Sequence, residues 1–238
     1  MTRSAALSAL IADGVFLAHE AQLQIVDRFG DHEHWDVDLA TRQFRFTGPT
    51  PATLSLQLLG SAAPGPRSWL WGWANPSGYS PAIVGAATAA RQLGERFRIP
   101  ELVSGEVMFD DPAPAGEPEP GYQLGWDLSI AARVASGVWF GYSGRVEGGT
   151  RVWMLLEGLA FDLPSAPRVL RVIGEGLGTT TVGDHRRALA SYTTLRGIPF
   201  DGFRLTLPDG VITVEFDQLG RIARLNGTAV PGPAPASA

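Results

Sequence analysis

Between Ser68 and Ser77 the chain reads Ser-Trp-Leu-Trp-Gly-Trp-Ala-Asn-Pro-Ser, with indoles at the alternate positions 69, 71 and 73. Successive side chains of a strand point to opposite faces, so a strand here projects Trp69, Trp71 and Trp73 from one side. Each ring can bury about 150–250 Å². A sheet carrying three of them needs either a layer of helix packed over that face or a ligand to occupy it. In the first reading the rings are core. In the second, Trp69, Trp71 and Trp73, with Asn75 beside them, hold a small apolar ligand or a protein partner. Buried indole N–H groups need acceptors, which is compatible with rings left partly exposed, although the core reading is the stronger of the two.

The flanking sequence supplies both strands and helices. Residues 4–29 place Leu7, Leu10, Ile11, Leu17, Ala18, Ala21 and Ile25 at three- and four-residue steps, the pattern of an amphipathic helix closing near Gly30. At Trp35 the period becomes two: Trp35, Val37 and Leu39 alternate with polar residues and are expected to face a core, and Phe44 and Phe46 continue a hairpin. Further strands are expected at 53–60 and 68–74. A helix should begin at Ser80-Pro81, with Ser as the cap and Pro in the first turn. Helix, strands and helices then recur from 122 onward, without residue-level similarity to the first half. Phe203–Leu207 and Val211–Phe216 flank Pro208-Asp209-Gly210, which reads as a hairpin closed by a left-handed glycine. A third strand from Ile222 completes a meander.

Residues 1–110 are therefore expected to form a helix, four-strand and helix unit. Residues 111–121, rich in Pro and acid, read as a linker or loop. Residues 122–230 form a second helix and strand unit, packed with the first into one compact domain, and 231–238 a disordered tail.

Composition removes several chemistries. The chain has no Cys, and all 19 of its basic residues are Arg. Thiolate nucleophiles, Cys-ligated metal, Schiff-base lysines and the P-loop lysine are thus excluded. A net charge of −5 with scattered arginines argues against nucleic acid. With no signal-like or membrane-length apolar run, the expected location is cytoplasmic. No cofactor is expected.

Two of the four histidines fall in Asp31-His-Glu-His-Trp-Asp-Val-Asp38. On a strand His32, His34, Asp36 and Asp38 share a face, and two imidazoles with a carboxylate suit Zn²⁺, Mn²⁺ or Fe²⁺. Neighbours two apart on a strand are about 7 Å from each other, so chelation there needs a bent backbone or ligands from elsewhere. His19-Glu20 lacks the second His of a zincin, and Gly141-Tyr-Ser-Gly144 lacks the last step of a nucleophile elbow. Gly174, Gly176 and Gly178 follow a helix, the context of a terminus and not of a phosphate loop.

The segments Trp35-Asp-Val-Asp-Leu39, Phe44-Arg-Phe46, Gln57-Leu-Leu-Gly60 and Trp69-Leu-Trp-Gly-Trp-Ala-Asn-Pro-Ser77 together resemble an uncharacterised family common in actinobacteria. The likeness covers roughly residues 15–157 and implies a small bacterial domain of unknown function. It transfers no catalytic residue.

Together these features predict an α+β fold: an antiparallel sheet of short strands, helices packed mainly on one face, and a C-terminal three-stranded meander. The function expected is a non-enzymatic binding or interaction module, immunity-like or regulatory, working through the Trp-rich sheet. The alternative is a metal-assisted hydrolase built on His32, His34 and Asp36.

Overall fold

Ser4 caps the first helix, its hydroxyl accepting from the Leu7 amide, and α1 runs over Ala5–Phe29. The computed structural model describes residues 3–109 and 119–229. Most of the expected linker at 111–121 and the whole tail at 231–238 lie outside the described residues. After α1 come β1 (His34–Asp38), β2 (Gln43–Thr47), β3 (Ala52–Ala63) and β4 (Ser68–Trp71). Next are α2 (Gly85–Phe97), α3 (Pro100–Val103), β5 (Glu106–Met108) and α4 (Tyr122–Ser136). Then follow β6 (Gly141–Arg145), β7 (Arg151–Glu157), α5 (Ala166–Gly176) and α6 (His185–Arg196). The meander is β8 (Arg204–Leu207), β9 (Gly210–Phe216) and β10 (Ile222–Ala229).

The fold is α+β and its strand pairs are antiparallel. The long strand β3 is the hub of the larger sheet. Along one edge it pairs with β7, from Ser55↔Glu157 to Ala62↔Arg151, and β6 lies beyond. The other edge is shared end to end by β2, which reaches Ser55, and β4, which starts at Gly60. These lead outward to β1 and β5. The second half of the chain therefore adds two strands to the sheet of the first half.

Between Leu58 and Gly60 the β3–β7 register slips by a residue. A bulge of this kind changes which side chains share a face. Met154 and Leu156, opposite Leu58 and Leu56, point to one side; Trp153, opposite Gly60, points to the other with Trp71 and Trp69. Helices cover that second side. Gly125 of α4 lies so near Trp153 that a Cβ there would come within 2.5 Å of the indole Nε1. Gln57 reaches from β3 to accept from the Ala86 amide at 2.6 Å, capping α2.

In the helix layer α1 packs on α4, α5 and α6, and the meander packs on α5. Two buried acids tie this layer together. Glu20, fully buried, lies 3.0 Å from the Tyr192 hydroxyl and 3.0 Å from Arg196 Nε. Asp127 accepts from Thr180 at 2.7 Å and pairs with Arg3 at 3.2 Å. Among the described residues no helix is long and apolar enough to cross a membrane.

Three local expectations are corrected. The helix expected at Ser80-Pro81 begins at Gly85, because the Ile83 carbonyl is held by the Leu58 amide at 2.7 Å beside the bulge. The strand expected to reach 74 ends at Trp71 and passes into a single 3₁₀ turn, Gly72–Ala74. The meander turn has two residues, Pro208 and Asp209, and Gly210 is a paired strand residue without positive φ. Asp209 accepts instead from the Ala166 amide at 2.9 Å, tying the turn to the start of α5.

Candidate functional site

The face of the large sheet away from α2 and α4 curls on itself. Trp35 and Val37 pair with Phe46 and Phe44, and directly opposed residues of an antiparallel pair share a face. The curl brings β1 against β6: the Trp35 and Tyr142 rings lie 5.6 Å apart. A Cβ on Gly144 would fall 2.2 Å from Trp35 Cζ2, so the indole lies where only a glycine leaves room. Phe44 and Phe46 fill the interior, 5.2 and 5.4 Å from Tyr142.

One end of this interior is closed. Phe29, the last residue of α1, stacks on Phe46 at 4.9 Å. His32 seals it further, Nδ1 at 2.7 Å from the Phe29 carbonyl and Nε2 at 3.2 Å from the Tyr142 hydroxyl. The other end opens into a cavity of about 310 Å³ with walls from Trp35, Val37, Leu39, Leu58, Val152 and Met154. Ser61, Asn75, Tyr79 and Thr150 supply polar groups around it. Burial raises the Tyr142 pKa, so its hydroxyl stays protonated inside the curl.

The structure divides the tryptophan run. Trp69 and Trp71 are fully buried beneath the helices, edge to face at 5.2 Å. Trp71 Nε1 donates to the Glu101 carbonyl at 3.0 Å, whereas Trp69 Nε1 has no acceptor. Trp73 leaves the strand with the 3₁₀ turn and is half-buried under the Arg91 guanidinium, 4.6 Å from its ring centre. The groove expected over Trp69, Trp71 and Trp73 is thus filled by protein. The cause is the fit of small residues: a Cβ on Gly60 would meet Trp69 Cζ2 at 2.7 Å. Asn75 does line the cavity, its Oδ1 accepting from the Ser77 amide at 2.9 Å.

Trp35, Val37 and Leu39, expected in the core, are instead half-buried walls of the cavity. The histidine cluster does not assemble. β1 begins only at His34, so His32 lies before the strand and is engaged at the sealed end. Asp36 is exposed and faces Arg45 at 3.6 Å; Asp38 accepts from the Ala40 and Thr41 amides in the following turn, and its pKa is held down by hydrogen bonding from the Thr41 side chain first and then from these amides. His19 lies elsewhere, 3.3 Å from Glu175, and burial pulls its pKa down. Among the described residues no three His, Asp or Glu side chains come together to hold a metal ion.

A model of a family described as being of unknown function, DUF6882, matches residues 8–159, from the first helix to just past β7. It ends before α5, α6 and the meander. No curated protein and no solved structure matches the chain.

Proposed function

We propose that this chain, which belongs to the DUF6882 family, is a non-enzymatic binding module that takes a small, largely apolar ligand into the open end of its curled sheet. The observation that carries the reading is the cavity of about 310 Å³ there. Its walls are apolar, a few hydrogen-bonding groups ring it, and its size falls at the lower end of the range for small-molecule sites, about 300–1,000 Å³. An indole, a valine and a leucine are held half-exposed around a concavity on a sheet whose other side is covered. A ligand entering would remove that apolar surface from water, stabilising the complex by about 25 cal/mol per Å² before the costs of association.

The test is titration with N-phenyl-1-naphthylamine, a neutral apolar dye whose emission rises on leaving water. The wild type is expected to enhance the dye's fluorescence saturably. Val146→Asp places a charge at the rim on a residue already 42% exposed, so folding is untouched while dye affinity falls about tenfold. Val152→Phe fills the cavity and abolishes the signal. A wild type that leaves the dye dark, or variants that bind it unchanged, would refute the reading.

A further inference from the structure

A second cavity, of about 340 Å³, lies on the helix side of the outer strands, between α4, α1 and β6–β7. It is separate from the first: β7 sends Arg151 and Trp153 to this side and Val152 and Met154 to the other. Tyr122, Trp126 and Arg133 come from one flank of α4, and Gly141 and Ser143 leave room on the strand facing them.

Arg133 sets the chemistry of this cavity. The residue is 2% exposed, and among the described residues its guanidinium makes one hydrogen bond, from Nη1 to the Ala18 carbonyl at 3.1 Å. It also lies 5.1 Å from the Trp126 ring centre. Its Nε has no acceptor, and among the described residues no carboxylate pairs with it. Other arginines of the interior are compensated: Arg3 by Asp127, Arg196 by Glu20 and Arg151 by Glu119. Burial lowers the Arg133 pKa to about 10, which leaves it charged at neutral pH. A buried charge is ordinarily paired, because removing it from water is costly unless an opposite charge stands near. The rings of Trp126 and Trp153 lie in the same walls. Among the described residues, one positive charge beside this cavity thus lacks a counter-ion.

From this juxtaposition we infer that the cavity binds a small organic monocarboxylate, its carboxylate on Arg133 and its apolar body against Trp126, Trp153 and Tyr122. The planar fork of a guanidinium matches a carboxylate, and flat aromatic walls suit a flat body. A flat apolar body is specified because the rings of Tyr122, Trp126 and Trp153 form the walls beside Arg133, while Arg151 is engaged by Glu119, which Arg145 shares. The inference stands independently of the apolar site in the curled sheet.

The test follows the indole N–H signals of ¹⁵N-labelled protein, assigned with Trp126→Phe and Trp153→Phe, during titration with benzoate, benzamide and inorganic phosphate. Benzoate is expected to shift the Trp126 and Trp153 signals saturably, and to leave N-phenyl-1-naphthylamine bound. Benzamide, of the same shape without charge, should bind at least tenfold more weakly, and phosphate more weakly than benzoate. Arg133→Met should cost at least tenfold in benzoate affinity while retaining the fold, since it removes a desolvated charge at nearly constant volume. The comparison of benzoate with benzamide on the wild type needs no variant. No shift with benzoate, equal shifts with benzamide, tighter binding of phosphate, or full affinity in Arg133→Met would each overturn the assignment.

Discussion

Replacing Gly144 by alanine tests the closure of the curled sheet with a single methyl group. The added Cβ would stand 2.2 Å from Trp35 Cζ2 and 2.6 Å from Cε2. Carbon atoms pack at about 3.5 Å or more, so the indole must move by about 1 Å or swing out. The backbone at 144 has no positive φ, so alanine brings no conformational strain of its own and the effect is steric. Displacing the ring breaks its parallel stack on Phe44, now 6.1 Å between centroids, and its contact with Tyr142. Overpacking of this kind costs about 1–3 kcal/mol. For a chain of this length each kcal/mol lowers Tm by about 2–4 °C, so Gly144→Ala should melt about 2–12 °C below the wild type by calorimetry. Its tryptophan emission should shift to the red as Trp35 enters water, and its dye affinity should fall with the loss of one wall. Trp35→Phe removes the six-membered part of the indole and with it the clash. In a double-mutant cycle the alanine should therefore cost little in the Trp35→Phe background, a coupling of about 1 kcal/mol or more. Strictly additive effects, or a Gly144→Ala protein melting within about 1 °C of the wild type, would refute the contact between β1 and β6.

Acrylamide should quench Trp35 readily and Trp69 and Trp71 scarcely, so Trp69→Phe and Trp71→Phe leave the amount of quenchable emission unchanged and raise its fraction of the total; Trp71→Phe also orphans the Glu101 carbonyl and destabilises by about 1–3 kcal/mol in urea melts. Glu20→Ala strips the partner from Arg196, whose side chain is 10% exposed, and should cost about 3–5 kcal/mol by the same measurement. Burial raises the native pKa of Asp127, so the stability linked to its proton is present below the unfolded carboxylate value of about 4 and lost as pH rises through the native one. Asp127→Asn should accordingly lose less stability than the wild type as pH rises above about 4. His19 acts in the opposite sense: burial lowers its pKa, so its contribution is present above the unfolded value of about 6.5 and lost as pH falls through the native one, and His19→Gln should flatten that acid-side loss.

What the sequence made legible was whatever depends on near neighbours. The helical period of residues 4–29 and the alternation in β1, β2 and the meander are local, and they appear where their patterns place them. What stayed hidden depends on how the sheet bends. Alternation marks Trp35, Val37 and Leu39 as one face, but whether that face is covered depends on the curl, which Gly144 permits 109 positions away from Trp35. The slip between Leu58 and Gly60 then decides which side β7 presents to the helices, and no residue there announces a bulge beyond the glycine itself. Of the ligand contacts expected from sequence, Asn75 reaches the cavity at the open end, while Trp69 and Trp71 lie buried beneath the helices and Trp73 leaves a strand that ends three residues early. Arg133 did leave a signal. In α4 it follows Trp126 and Ile130 at four- and three-residue steps, on the flank that periodicity buries. A charge at a position that the pattern sends inside asks for a counter-ion. Only the fold shows that the buried acids Glu20 and Asp127, like Glu119, are held by other arginines, and that a cavity lies beside Arg133 where the proposed carboxylate would supply the counter-ion.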